Sequence, residues 1–459
     1  MITDVDVNRF ATHSLKDPRV LRILSAALDA VDPYQAVQKH LPHIDGRVYG
    51  LAIGKAAIPM LDALAARLPL SGGLAVTKFA SGLSPHLHLR QVQVSTSLRT
   101  SRKLYTVIEG GHPIPDMRSL YAGQRVLEFV SSLHEDDTLV CLISGGGSAL
   151  VTAPYEGISL EDMQSLTALL LSSGARIDEI NTLRRHLDRI KGGGLARATK
   201  AKIVSLILSD VIGNPVEAIA SGPTAPDPTT GEDALAILQK YNLENPVPIS
   251  IIQTLESGSK LPDFQQQAVG PQNPQNIIIG DNGLAARAAL EQAKSEGFHA
   301  EILTNELQGE AREVGYELAH QLRVSISRKT RPFCLIAGGE TTVTLRHSSG
   351  QAIKGGGKGG RNQELALAAV NELAGLKDAL LIALATDGDD GPTDAAGAVV
   401  TGDSARRAES LGLRAADHLS RNDAYPFFDA LGDLLKTGPT GTNVNDLVFL
   451  LGLRGRGLR

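Results

Sequence analysis

Residues 354–361, KGGGKGGR, combine five glycines, two lysines and an arginine directly ahead of an Ala/Leu-rich helical pattern over 362–373. Glycine lets a ligand approach the backbone, the first N–H groups of a helix lack partners within it, and the three cations add full charge. Such a segment suits an anion, above all a phosphate, with Gly355, Gly356, Gly357 and Lys358 as the cradle and Arg361 at its end. A solvated, flexible basic loop is the competing reading of the same composition. The GxGxxG match at Gly355, Gly357 and Gly360 is not taken as a dinucleotide fingerprint, because the preceding residues 341–353, TTVTLRHSSGQAI, read as a polar hairpin-like arm rather than a strand.

Other turns carry related chemistry. SGGGSA at 144–149 follows an apolar run, so the backbone N–H groups of Ser144, Gly145, Gly146, Gly147 and Ser148 could form an anion nest to which the Ser148 hydroxyl adds a donor. Tight strand-to-helix packing would also ask for glycine there. GLAIGKA at 50–56 is one residue short of a P-loop and has Ala56 where a magnesium-binding Ser or Thr would stand. Lys55 nevertheless opens a helical segment after a strand, where its ammonium would serve an anion; a surface lysine is the alternative. NTLRRHLDRIKGGGLA at 181–196 gathers Arg184, Arg185, His186, Arg189 and Lys191 ahead of three glycines. It reads either as a second basic rim, with Lys191 on phosphate, or as a solvated charged face closed by helix-ending glycines.

Aspartates end two further apolar runs. Asp210 in LSDVIGNPVEAIASGPT (208–224) and Asp387 in ATDGDDGPTDAA (385–396) suit magnesium, a hard ion that keeps water and phosphate oxygens as partners. For Asp390 and Asp394 a turn or helix cap is the better reading. His112 in EGGHPIPD (109–116) has no visible partner and reads as a structural loop histidine.

The elements that must position these groups alternate. After a helical stretch over 18–40, short apolar runs alternate with helical patterns, which predicts α/β architecture with largely parallel sheets. Runs at 48–54, 138–147, 202–210, 333–339 and 380–388 each end in glycine or aspartate, and ligands in open α/β sheets gather beyond such carboxyl ends. The Gln/Pro/Asn-rich stretch 261–276 marks a connection, so the expected domains are 1–260 and 261–459 with a cleft between them.

Composition narrows the function classes. A chain of 459 residues exceeds what one core usually serves. The formal net charge of -5 and an aromatic content of 4% without Trp argue against a nucleic-acid partner, which would need a basic surface and stacking platforms. Cys141 and Cys334 sit in apolar runs as small hydrophobes, no stretch approaches a membrane span, and the amino terminus lacks a basic then apolar leader, so the cytoplasm is the expected compartment.

Eight motifs in order resemble the glycerate 2-kinase family with its C-terminal MOFRL domain: GKAA at Gly54, EGGHPIPD at Glu109, ISGGGSAL at Ile143, NTLRRHLDRIKGGGLA at Asn181, LSDVIGNPVEAIASGPT at Leu208, GGETTV at Gly338, GGGKGGRNQELAL at Gly355 and TDGDDGPTDAAGA at Thr386. The resemblance covers about 51–447. It implies a Rossmann-like three-layer N-terminal domain, a distinct α/β C-terminal domain, and a deep inter-domain cleft. It also implies transfer of the γ-phosphoryl group of ATP, with Mg2+, to the 2-hydroxyl of D-glycerate, giving 2-phosphoglycerate and ADP. The family's important lysine and arginine match Lys55 and Arg361, expected to face each other across the cleft.

Phosphoryl transfer consists mostly of positioning and charge stabilisation, which these residue types supply. Lys55 would meet transferring-phosphate or substrate charge, Arg361 the glycerate carboxylate or the γ-phosphate, and Asp210 or Asp387 the metal. Two departures stand against the family pattern: Asn214 and Pro215 replace further acids after LSDVIG, and Asp389 stands where an uncharged residue is expected. An NAD(P)-dependent hydroxypyruvate reductase and a non-catalytic nucleotide-binding protein are the rival readings. A monomer or homodimer without membrane partners is expected.

Overall fold

A computed structural model of the chain describes residues 7–78, 105–259, 273–345 and 357–454. Contacts divide the chain into two compact units, Pro33–Ile279 and a discontinuous one of Met1–Asp32 with Gly280–Arg459.

The first unit holds strands β1 (Val48–Ile53), β2 (Leu70–Lys78), β3 (Thr106–Gly110), β4 (Thr138–Ile143), β5 (Lys202–Leu208) and β6 (Gln275–Gly280) in the order β3-β2-β1-β4-β5-β6. The pairings from β3 through β5 are all parallel. This is the Rossmann order, whose direction of winding reverses between β1 and β4. Both strands are continuous apolar runs because a central parallel strand is covered on both faces, and β4 is buried at every position. The helix Met117–Ser131 begins where Asp116 accepts the N–H groups of Arg118 and Ser119, which fixes the loop carrying His112. A second apolar cluster joins the helices Leu160–Ser172, Ile177–Leu187, Gly231–Lys240 and Ile249–Ser259.

In the second unit β7 (His299–Leu307), β8 (Phe333–Gly339), β9 (Ala379–Ala385), β10 (Gly397–Thr401), β11 (Leu434–Leu435) and β12 (Asp446–Gly452) run in the order β11-β10-β9-β12-β8-β7. Here the expectation of a largely parallel sheet is corrected. Only β7 and β8 pair in parallel; β12 runs back between β8 and β9, antiparallel to both, and β10 is antiparallel to its neighbours. A strand buried on both faces has the same apolar run in either direction, so periodicity does not report its sense. The helices Ala311–Arg328 and Arg361–Leu373 pack on each other and contribute to the core of this unit.

The stretch 18–40 is two helices, Pro18–Asp29 and Pro33–His40, and the chain passes from one unit to the other between them. Pro18–Asp29 packs on Asn282–Ser295, and Arg22 meets Glu296 through two bonds of 2.6 and 2.7 Å. The compact units therefore part from the 1–260 and 261–459 division at both ends. Beyond residue 260, β6 completes the first sheet, where Asn276 accepts from Thr224 Oγ1 at 2.8 Å. Most of the Gln/Pro/Asn-rich connection lies outside the described residues. Cys141 and Cys334 are free and buried in β4 and β8, where burial pushes both thiols up to about 12. No helix among the described residues is long and apolar enough to cross a membrane.

Candidate active site

Parallel pairing of Ile53 with Ile143 sets the carboxyl ends of β1 and β4 level at the switch point, so the turns carrying Lys55 and Ser144–Ser148 leave side by side. They are stitched together: Ser144 N–H donates to Ile53 O and Lys55 N–H to Gly145 O, each at 2.9 Å, and Ala56 N–H donates to Ser144 Oγ at 3.0 Å. Gly54 has a φ of +128°, and a Cβ there would fall 2.2 Å from Ser144 Oγ, so only glycine lets the turns close. Gly146, at φ +83°, lies between Lys55 and His112: a Cβ on it would meet the His112 ring at 3.3 Å and Lys55 Cγ at 3.4 Å. The structure thus brings His112, read from sequence as a structural loop histidine, to the wall of the same turn.

Among the described residues the N–H groups of Gly145, Gly146, Gly147 and Ser148 find no protein acceptor. Successive unpartnered backbone donors beside a lysine are the kind of donor set that an anion nest requires. Ser144 has a different part. It is fully buried, and its hydroxyl accepts from Ala56, so it builds the turn rather than facing a ligand.

Opposite the nest lies a strained segment. Ala220, Ser221 and Gly222 have φ of 51°, 60° and 61°, a left-handed run that costs of order 1–3 kcal/mol at each non-glycine position. Gly192 and Gly193 hold it, donating to Ser221 O at 2.9 Å and Gly222 O at 2.7 Å. The glycines of KGGGLA therefore clamp this turn; the helix before them has already ended at Leu187. Ser221 Oγ stands 2.8 Å from Ser148 Oγ.

Lys191 is corrected from its phosphate role. Its ammonium is buried, 2.6 Å from Asp188 and 3.3 Å from Val151 O. Asp188 also accepts from Thr152, Ala153 and Ile190; although burial alone would raise its pKa, Lys191 and these bonds hold it below the usual range. Removing one partner of such a pair leaves a buried charge uncompensated, so Lys191→Met should cost about 3–5 kcal/mol. Thermal melting tests this: a large fall in midpoint with an unmoved KM for ATP is expected of whatever protein remains folded.

The second unit carries the Arg361 environment. Because β12 begins where β8 and β9 end, Asp446 pairs with Gly339 on one side and Ala385 on the other, between Glu340 and the 386–390 turn. Arg361 opens the helix Arg361–Leu373 at this edge. Its Nε and Nη2 donate to the two Asp446 oxygens at 2.5 and 3.1 Å, and Nη1 reaches Glu340 at 2.7 Å. Burial opposes its charge, but these carboxylates hold the guanidinium firmly protonated. Burial in turn raises the Asp446 carboxyl; Arg361 pulls it back, and Asp387 nearby adds to the rise. Glu340, Thr341, Gly360, Arg361, Glu364 and Asn422 help line a cavity of about 470 Å³ here.

Two of the first-turn donors expected to hold a phosphate at this helix are already taken. Asp390, buried, accepts from Asn362 N–H at 3.0 Å and Gln363 N–H at 2.8 Å and so acts as the cap. Lys358 is likewise engaged, its N–H on Asp423 at 2.8 Å and its ammonium over the Tyr425 ring at 3.7 Å. Gly357 packs where a Cβ would meet Arg421 O at 2.4 Å, while Gly355 and Gly356 lie outside the described residues. The anion cradled by this helix is the protein's own carboxylate. Asp394 accepts from the Tyr425 hydroxyl at 2.6 Å and serves a local contact.

Burial moves the Asp390 carboxyl up to about 7, against its two backbone donors. A folded-state value above the unfolded one means that Asp390 stabilises the fold in its protonated form. That stabilisation is complete below about pH 4 and is lost as pH rises through about 7. Asp390→Asn should flatten the dependence of the thermal midpoint on pH across that window; an unchanged slope would exclude Asp390 as its source.

Asp210 and Asp387, the expected metal ligands, are both half-buried at strand ends but belong to different units. No group of three or more His, Cys, Asp or Glu side chains able to hold a metal occurs among the described residues. Glu340 and Asp446 were missed by sequence reasoning. The only signal was an acid directly after an apolar run in GGETTV and one directly before an apolar run in NDLVFLLG, and the second is invisible to a search of carboxyl ends.

Two family models match the chain: a domain of unknown function, DUF4147, over 19–256 and the MOFRL family over 333–446. The glycerate 2-kinase of Pyrococcus horikoshii is 40% identical over 95% of this chain and 97% of its own. The D-glycerate 2-kinase of Thermotoga maritima is 41% identical over 96% of this chain and 99% of its own, and a crystal structure of glycerate kinase from that organism matches with a TM-score of 0.80 over 95% and 99% of the two chains, at 40% identity. A putative hydroxypyruvate reductase of Agrobacterium vitis is 38% identical over 94% of this chain and 93% of its own.

Proposed function

The chain belongs to the glycerate kinase family, with an N-terminal DUF4147 domain and a C-terminal MOFRL domain, and from that premise we propose that its Lys55 nest is where phosphoryl transfer from ATP to the 2-hydroxyl of D-glycerate is stabilised. The protein is an enzyme, a glycerate 2-kinase. One observation carries the assignment of the nest: the four unpartnered N–H groups of Gly145–Ser148 beside Lys55, at the switch point of a doubly wound sheet.

In the reaction the 2-oxygen of glycerate bonds to the γ-phosphorus as the bond to the ADP oxygen breaks, and the hydroxyl proton passes to solvent water. The transition state spreads charge over the three peripheral phosphoryl oxygens. The N–H groups of the nest donate to these oxygens from fixed positions, and Lys55 adds a full charge beside them, so little reorganisation is needed as charge develops. A strong base is not required for so loose a transition state. In the second unit, Arg361 is oriented by Asp446 and Glu340, which leaves its outer edge for a carboxylate or phosphate oxygen.

The donor set fits magnesium as a sparsely held ion rather than a caged one: Asp210 and Asp387 stand at strand ends outside any group of three or more candidate ligands among the described residues, and magnesium commonly takes only one or two carboxylates. Either residue would hold it. Bound there, magnesium would neutralise phosphate charge.

The test is incubation with ATP, Mg2+ and D-glycerate, with products resolved by phosphorus NMR. The expected product is 2-phosphoglycerate; 3-phosphoglycerate would overturn the regiochemistry. NADH with hydroxypyruvate should leave the NADH absorbance unchanged, and robust turnover there would establish the reductase reading instead.

A further inference from the structure

Five basic side chains lie between Arg184 and Lys191, and four have evident settings. Arg185 is bound to Asp227 at 2.8 Å and to Thr182 and Thr229; His186 lies 3.2 Å from Thr229 and 3.4 Å from Asp227; Lys191 is paired with Asp188; Arg189 is exposed to water. Arg184 differs. It is half-buried, and its one side-chain hydrogen bond among the described residues is from Nη1 to the Asn181 amide oxygen at 3.5 Å. No carboxylate faces it there, and burial alone lowers its basicity from the usual guanidinium value. A guanidinium carries five N–H donors and stays charged, so partial desolvation without an anion is unfavourable unless an anion arrives from solution.

What surrounds Arg184 leads back to the nest. Asn181 Oδ1 also accepts from Ser221 Oγ at 3.4 Å, and Ser221 Oγ is 2.8 Å from Ser148 Oγ, whose own backbone belongs to the nest. Ser221 holds its hydroxyl there by adopting a left-handed φ, clamped through Gly192 and Gly193. A path of short polar groups thus runs from the phosphate cradle to an unpaired planar cation, all within the first unit.

We propose that Arg184, with Asn181 and the paired hydroxyls of Ser148 and Ser221, receives the carboxylate of the hydroxy-acid substrate. This rests on the reading of the chain as a glycerate kinase. A carboxylate matches the guanidinium fork through two parallel bonds, and the serine hydroxyls beside it suit the alcohol next to that carboxylate. The phosphoryl end has its own donors in Lys55 and the nest. Arg184 is therefore the residue that distinguishes glycerate from an uncharged polyol.

The experiment compares the wild type with Arg184→Gln and Arg184→Lys, varying D-glycerate, ATP and the neutral acceptor D-glyceramide in turn. Arg184→Gln should raise the KM for D-glycerate on the order of 10- to 100-fold, as loss of a charge-assisted contact does, with the KM for ATP nearly unchanged. The preference for glycerate over glyceramide should fall by a similar factor, and Arg184→Lys should lie between. If the glutamine variant does not fold, the lysine variant reads the same split. An unmoved KM for glycerate, or an equal rise in the KM for ATP, would overturn the proposal. Failure of the wild type to phosphorylate glycerate would instead overturn the functional reading beneath it.

Discussion

Replacing Lys55 by alanine is expected to lower kcat/KM for glycerate phosphorylation by ~10²-fold or more while leaving the thermal midpoint close to that of the wild type. The size follows from what the nest lacks without it. Its N–H groups supply partial charges, whereas the transferring phosphoryl group develops charge that a full cation beside Gly146 stabilises far more strongly in a partly dehydrated turn. The β1 and β4 turns are joined through backbone groups and Ser144 Oγ, none of which the substitution removes. Near-normal turnover of Lys55→Ala would remove this lysine from the mechanism.

Arg361→Ala should lose comparable activity, ~10²-fold or more, but should also destabilise the protein, because Asp446 keeps its burial and loses its bidentate partner. The two effects can be separated. Adding Asp446→Asn removes the stranded charge and should recover much of the stability without restoring turnover. The pH dependence gives an independent sign. Burial already raises the folded-state pKa of Asp446, and loss of Arg361 raises it further, so the variant is favoured in its protonated form and its melting deficit should deepen as pH rises from the ordinary carboxylate range. Arg361→Lys should not rescue either property well, since an ammonium cannot span both Asp446 oxygens while reaching Glu340. A variant as active and as stable as the wild type would contradict both claims. Combining Lys55→Ala with Arg361→Ala then asks whether the two act on one transition state: losses well short of multiplicative would say that they do.

The first unit was largely legible in the sequence, and the second only in part. In the first, the apolar runs at 48–54 and 138–147 give β1 and β4, and Lys55 and the unpartnered N–H groups of Gly145–Ser148 follow those strands because a parallel sheet puts its ligand edge at the carboxyl ends. In the second, β8 and β9 were found in the same way, but the return of β12 between them was not. Asp446 consequently escaped notice, although it is the residue that orients Arg361. The helix after the glycine-rich loop was located correctly, yet composition could not reveal that two of its first-turn donors are filled by Asp390, a residue 28 positions from Asn362. Basic residues in 184–191 had the opposite difficulty: charge was evident, but which cations were neutralised depended on Asp188 and Asp227 meeting them in space.

The assignment of residues 1–32 and 280–459 to one unit sets an order on biosynthesis. The helix Pro18–Asp29 leaves the ribosome ahead of the unit Pro33–Ile279, with Val20, Leu21, Ile23, Leu24, Ala27 and Leu28 all destined for burial. Its packing partner Asn282–Ser295 is translated only ~250 residues later, on the order of 12–50 s at ordinary elongation rates. Over that interval the contiguous unit Pro33–Ile279 emerges and can fold, while the amphipathic helix keeps its apolar face uncovered. The nascent chain thus presents an uncovered apolar helix while Pro33–Ile279 is made, and a chaperone that shields residues 18–29 would act on the folding of the unit that 280–459 completes.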